Sequence, residues 1–139
     1  MEKQLSDNII KDIFKNLKNI AIIGVSPDPK KDSYQVMQFM KNVGFNIFPV
    51  NPVTNKKIIL GEKVFKSLED IKTKINIVNV FRPSNETKLI AESAKKIGAD
   101  VLWLQLNIHN DSAKKVSEEN GILYISNRCT KIEYERLFS

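Results

Sequence analysis

At 139 residues and 42% hydrophobic content, the chain has the length and composition of one globular domain around one core. Its net charge of +6, from 22 Lys and Arg against 16 Asp and Glu, admits an anionic ligand, but the lysines are scattered, and no arginine-rich run, zinc-finger spacing or RNA-recognition signature supports nucleic-acid binding. No apolar run approaches the ~20 residues that cross a bilayer; the polar start Met1-Glu2-Lys3-Gln4-Leu5-Ser6-Asp7 is no secretory signal, and the single cysteine, Cys129, excludes an internal disulfide, which together fit a cytoplasmic location.

In chain order, the first helix is expected over Asp7–Leu17, with Ile9, Ile10, Ile13, Phe14 and Leu17 on one face. Residues 1–18 are expected to pack as an N-terminal helix on a single domain spanning 1–139. A strand follows at Ile20–Val25, then a helix from Tyr34 to Val43 that buries Val36, Met37, Met40 and Val43 and stops at Gly44. The second strand is Phe45–Val50. Val53–Lys66 reads as a turn-rich excursion, and Ser67–Ile71 as a short helix. A strand at Ile75–Phe81, a helix over Asn85–Ile97 ending at Gly98, and a strand at Val101–Gln105 come next. Asn110 or Asp111 caps a helix reaching Glu119, Gly121 ends it, Ile122–Ser126 forms the last strand and Thr130–Leu137 the last helix. Apolar strands alternating with amphipathic helices describe a three-layer α/β domain, with a doubly wound, parallel five-stranded Rossmann-like sheet. Ligands of such sheets lie at the carboxyl ends of the strands, which here carry Ser26, Asn51, Arg82, Gln105 with Asn107, and Asn127-Arg128-Cys129.

The connection after the first strand concentrates the functional signal. Gly24 permits a sharp turn, and the stretch Gly24-Val25-Ser26-Pro27-Asp28-Pro29-Lys30-Lys31-Asp32-Ser33-Tyr34 exceeds the ~2–6 residues usual for a βα loop. Ser33 is placed to cap the next helix, whose open amides and dipole attract an anion. Ser26 offers an amide and a hydroxyl to a phosphate oxygen. Of the dinucleotide pattern G-x-G-x-x-G only the first glycine stands, so the loop is either a phosphate site or a long connector. The second strand ends in Asn51-Pro52, with Lys56 and Lys57 beyond it. NAD proteins place a carboxylate there for the ribose. A neutral end favours a phosphorylated ribose, as in NADP or coenzyme A, although Lys56 and Lys57 also fit a solvated turn.

The set Gly24-Val25-Ser26-Pro27-Asp28-Pro29, Ser33-Tyr34, Pro49-Val50-Asn51-Pro52, Ile59-Leu60-Gly61-Glu62, Val80-Phe81-Arg82, Gly98-Ala99, Leu102-Trp103-Leu104-Gln105-Leu106 and Asn127-Arg128-Cys129 resembles the family of stand-alone CoA-binding proteins. That family is similar in fold to the CoA-binding domain of the succinyl-CoA synthetase α subunit. The resemblance runs from about Asn19 to Leu137. It implies that Gly24, Val25, Ser26 and the Ser33-Tyr34 helix start hold the pyrophosphate of CoA or an acyl-CoA, and that Lys30 or Lys31 adds charge. By the same resemblance Asn51 and Pro52 contact the adenosine ribose and its phosphate. Phe81, Arg82 and Pro83 border the adenine or pantetheine, and Gln105 and Asn107 meet the pantetheine arm. Lys66 departs from the small residue or proline that the family often carries nearby.

No catalytic or metal constellation emerges. His109, the single histidine, is either a solvent-facing loop residue or a partner for Cys129 on the same edge. One histidine and one cysteine do not make a zinc shell. Cys129, at a helix start beside Arg128, is either a semi-buried small residue or a thiol set to form a mixed disulfide with CoA. The leading expectation is a CoA-binding module without its own catalysis. The alternatives are an NADP-dependent reductase domain and a nucleotide-sensing regulatory protein.

Overall fold

The computed structural model describes residues 5–139, so the reading of Met1–Gln4 as a polar start lies outside the described residues. Helix α1 (Asp7–Asn16) leads into strand β1 (Asn19–Ile23), helix α2 (Asp32–Asn42) and strand β2 (Asn46–Val50). A small hairpin, β3 (Ile58–Ile59) with β4 (Glu62–Lys63), and a 3-10 turn at Leu68–Asp70 follow. The chain continues through β5 (Ile77–Val80), a 3-10 turn at Ser84–Glu86, α3 (Thr87–Ile97), β6 (Val101–Leu104), α4 (Asp111–Glu119), β7 (Leu123–Ile125) and α5 (Thr130–Phe138).

The main sheet has five parallel strands in the order β2-β1-β5-β6-β7. Strand direction of growth reverses at β1, and the connections leaving β1 and β5 pass to opposite faces, which opens a crevice between their carboxyl ends. Alternate residues serve the two faces. Ile20 and Ile22 join Ile10, Phe14, Met37, Met40 and Trp103 in the layer under α1, α2 and α5. Ala21 and Ile23 join Val78, Leu102, Ala91, Ala94 and Ala113 under α3 and α4. The three-layer parallel sheet expected from the sequence is the one observed.

Two features outside the apolar core fix the frame. At the amino end of the sheet Asn19 ties three elements together: its Oδ1 accepts from Asn46 Nδ2 (2.9 Å), its amide donates to Asn76 Oδ1 (3.1 Å) and its Nδ2 to the Lys74 carbonyl (2.8 Å). Asn76 Nδ2 extends the row to Asp100 Oδ2 at 3.0 Å. Inside the sheet, Asn79 of β5, Gln105 after β6 and Thr130 at the start of α5 are fully or almost fully buried and bond to one another.

Boundaries shift for identifiable reasons. The first strand stops at Ile23 rather than Val25, because Gly24 turns away with φ +86°. In the first helix Ile9, expected on the buried face, is exposed, and in the second Val43 is only half-buried. The excursion at 53–66 contains the β3–β4 hairpin, and residues 64–66 then run along β2, with Phe65 exchanging backbone bonds with Pro49 and Asn51.

Candidate functional site

The crevice begins where two strand ends touch. Gly24 donates its amide to the Val50 carbonyl (2.9 Å), and a Cβ on it would lie 2.9 Å from the Phe81 carbonyl oxygen and 2.8 Å from Arg82 Cδ. The positive φ and the close approach both require glycine. Beyond it the loop is self-bonded. Ser26 Oγ accepts from the Asp28 amide (3.0 Å), Asp28 Oδ1 from the Lys30 amide (3.0 Å) and the Asp28 carbonyl from the Lys31 amide (3.0 Å).

Ser33 requires a correction. Helix α2 starts two residues earlier than a Ser33 cap demands, with Lys31 at the cap position and no side-chain cap. Ser33 is buried inside the first turn, and its Oγ accepts the Ser26 amide at 2.9 Å. Its hydroxyl therefore shapes the loop instead of closing the helix. Ser26 retains its hydroxyl proton for a ligand, while its amide is spent. The first amides of α2, residues 32–34, have no side-chain partner, though Asp32 already sits at this positive end. Val25 is fully buried, Tyr34 packs against the core and Lys30 is exposed.

Asn51 is a joint as much as a contact. Its Nδ2 donates to the Val25 carbonyl (2.9 Å), and its Oδ1 accepts from the amides of Val53 (2.9 Å) and Thr54 (3.1 Å). This bends the chain after β2 toward the β1 loop and sets Pro52 on the wall of an open pocket of about 250 Å³. Ile23, Val50, Pro52, Leu68, Leu89 and Ile90 form its apolar surface, and Lys66, Ser67, Arg82 and Glu86 its polar rim. Lys66 Nζ donates to the Thr54 carbonyl at 2.7 Å. Arg82 makes a two-pronged pair with Glu86, Nε to Oε1 at 3.1 Å and Nη2 to Oε2 at 2.8 Å, so that neither charge stands alone.

The sequence reading missed Leu68, Leu89 and Ile90. Leu89 is 74% exposed, and such an apolar residue on a helix is the available signal, usable only once the helix is known to face the crevice. Phe81 is half-buried against the core beside Gly24, and Pro83 is exposed at the start of the 84–86 turn. Gln105 is corrected: it is 3% exposed, and its amide is committed to Asn79 and Thr130, so it supports the edge from within. Asn107 is exposed, has φ +67°, and donates its amide to Asn127 Oδ1 at 2.7 Å. Of the alternatives for His109 and Cys129, the first of each fits: His109 is an exposed loop residue and Cys129 is half-buried. His109 bonds through its ring to residues other than Cys129, and the Arg128 guanidinium runs along α5 to Glu133 Oε1 at 2.7 Å. Among the described residues no group of three His, Cys, Asp or Glu is placed to hold a metal, and no helix is long and apolar enough to cross a membrane.

Known proteins share this frame. A family model described as a CoA binding domain matches residues 18–135. The uncharacterized protein YneT of Bacillus subtilis is 36% identical over 125 residues, 90% of this chain and 91% of that protein. The α subunit of an ADP-forming acetate–CoA ligase of Pyrococcus furiosus is 33% identical over 119 residues; the match takes in 84% of this chain but 26% of that subunit. A solved structure, a hypothetical protein of Pyrococcus horikoshii, superposes with a TM-score of 0.93 at 37% identity over the whole of both chains.

Proposed function

The chain belongs to the CoA binding domain family, and on that premise we propose that it holds coenzyme A or an acyl-CoA in the crevice at the carboxyl edge of the sheet. The observation that carries this reading is the pocket beside the end of β2. Its apolar surface suits a purine, Lys66 and Arg82 stand at its rim, and Asn51-Pro52 occupies the place where NAD-binding sheets put a carboxylate. A phosphate on the ribose meets no uncompensated negative charge there, because Glu86 is paired with Arg82.

In this reading the pyrophosphate lies across Gly24, the Ser26 hydroxyl and the first turn of α2, with Lys30 adding charge from the loop. Asn51 and Pro52 meet the ribose, Phe81, Arg82 and Pro83 border the crevice, and the pantetheine arm follows the strand ends toward Asn107. The protein works in the cytoplasm as a carrier or sensor of its ligand.

Calorimetric titration with CoA, dephospho-CoA, NADP and NAD at one ionic strength tests the assignment. CoA is expected to bind tightest, and dephospho-CoA about tenfold more weakly for loss of one charge-assisted contact. At a hundredfold excess over Kd, CoA should raise folding stability by about 2.7 kcal/mol. NADP binding as tightly as CoA would transfer the case to a reductase domain.

A further inference from the structure

We propose that Ser126, His109 and Asp111 form a nucleophilic relay that cleaves thioesters of the acyl-CoA class; the choice of substrate rests on the CoA reading above. Ser126 follows β7, His109 lies in the loop after β6 and Asp111 opens α4. His109 Nδ1 is 3.2 Å from Ser126 Oγ, and His109 Nε2 is 2.9 Å from Asp111 Oδ1. Base, nucleophile and orienting carboxylate thus stand in the order such a relay needs.

The protons can be assigned. A carboxylate only accepts, so Nε2 of the neutral imidazole carries the ring proton and donates to Asp111, leaving a lone pair at Nδ1. Tyr124 Oη also lies 3.2 Å from Nδ1. That oxygen accepts the Asn110 amide (3.0 Å) and donates its one proton to the Asn110 carbonyl (3.2 Å). Burial holds the phenol above its ordinary pKa, which keeps that proton in place. The Ser126 hydroxyl also reaches Tyr124, so its one proton is shared between Tyr124 Oη and His109 Nδ1, and in the reactive arrangement it points to Nδ1.

The relay is anchored to the proposed CoA edge. The His109 amide donates to Ser84 Oγ (3.1 Å), and Asn110 Nδ2 to the Ser84 carbonyl (2.9 Å). Ser84 lies two residues beyond Arg82, in the loop after β5. Strand β7 stands two neighbours along the sheet from β5, about 10 Å at the usual interstrand spacing. An extended pantetheine arm is longer than that.

In the reaction, Ser126 Oγ attacks the thioester carbonyl carbon while its proton passes to His109 Nδ1, and Asp111 holds the resulting imidazolium. Collapse of the tetrahedral adduct breaks the C–S bond, and the sulfur departs with the proton from His109. Water then attacks the acyl-serine ester, giving its proton to His109, and Ser126 recovers a proton as the carboxylic acid leaves. The sum is thioester plus water to acid plus thiol. The relay is open to solvent, with the His109 side chain 48% and the Asp111 side chain 92% exposed; thioesters suit so open a relay, since a thiolate leaves far more readily than an amine.

Two measurements on the full chain test the relay: intact-mass detection of a fluorophosphonate adduct, and release of free thiol from acetyl-CoA and longer acyl-CoAs. Ser126 is expected to take the label, Ser126→Ala to lose it, and Ser126→Ala and His109→Gln to lower thiol release about a hundredfold with CoA affinity unchanged. Normal CoA binding with no label, or with wild-type thiol release equal to that of Ser126→Ala, overturns the relay and leaves the CoA reading standing. Labelling of Ser126 without CoA binding overturns the CoA reading, and with it the acyl-CoA class.

Discussion

Gly24 and Asn51 show how single residues set the crevice. Adding one methyl at Gly24 combines a left-handed backbone with an overlap at 2.9 Å against a carbonyl oxygen of the neighbouring strand end. Gly24→Ala should therefore cost about 2 kcal/mol or more, read as a lower urea midpoint, and should also weaken CoA binding by displacing the strand end. An unchanged midpoint would mean that the two strand ends are not in contact. The glycine was legible from the sequence because a glycine closing an apolar run has few other uses. Ser33 was misplaced for the opposite reason. A serine near a helix start has several nearby amides to serve, and local order does not say which one it takes. The structural role of Asn51 was hidden, since its bond to Val25 joins residues 26 positions apart.

At the scale of elements, the helices and the main strands were legible because hydrophobic spacing changes between the 3.6-residue and the unbroken patterns, while the strand order in the sheet was not. The β3–β4 hairpin was not. Its turn places Leu60 at φ +50° before Gly61 at φ +79°, and leucine gives no hint of a left-handed position that asparagine or aspartate would advertise. The buried joint of Asn79, Gln105 and Thr130 was equally hidden, since each looked like a lone polar residue at a strand end or helix start. Thr130 Oγ1 accepts from both amides at 3.1 Å. Thr130→Val keeps the shape and removes that acceptor, so it should destabilise the protein by about 1–3 kcal/mol with the urea m-value unchanged. Because the joint seats the start of α5, hydrogen exchange should quicken first there, and exchange that stays uniform would argue against this role.

For the whole molecule, the first and last described helices are clamped to each other. Arg136 reaches Asp7 through two bonds, at 3.0 and 2.9 Å, and Glu133 at 2.8 Å, while Glu133 also holds Arg128. The hydrogen bonds from Arg136 hold the Asp7 carboxyl below the ordinary carboxylate range, only partly offset by desolvation. A lowered folded-state pKa means that this contribution is present at neutral pH and is lost as pH falls through the acidic range of that group. Asp7 is solvent-exposed, so the effect is small. Asp7→Asn should lower thermal stability slightly at pH 7, with the difference from the parent closing as the pH falls below the ordinary carboxylate range. A difference that persisted in acid would assign the clamp to shape instead of charge.

The row of asparagines at the amino end of the sheet has a consequence for alignment. Strands that are apolar on both faces slide past one another with little change in what they bury, so alternation alone sets their offset weakly. Asn46, Asn19, Asn76 and Asp100 form cross-links at one fixed height, like the zero mark on a ruler. The far rim, where Gly24, Asn51 and Arg82 must arrive level, inherits its evenness from marks laid down a strand's length away.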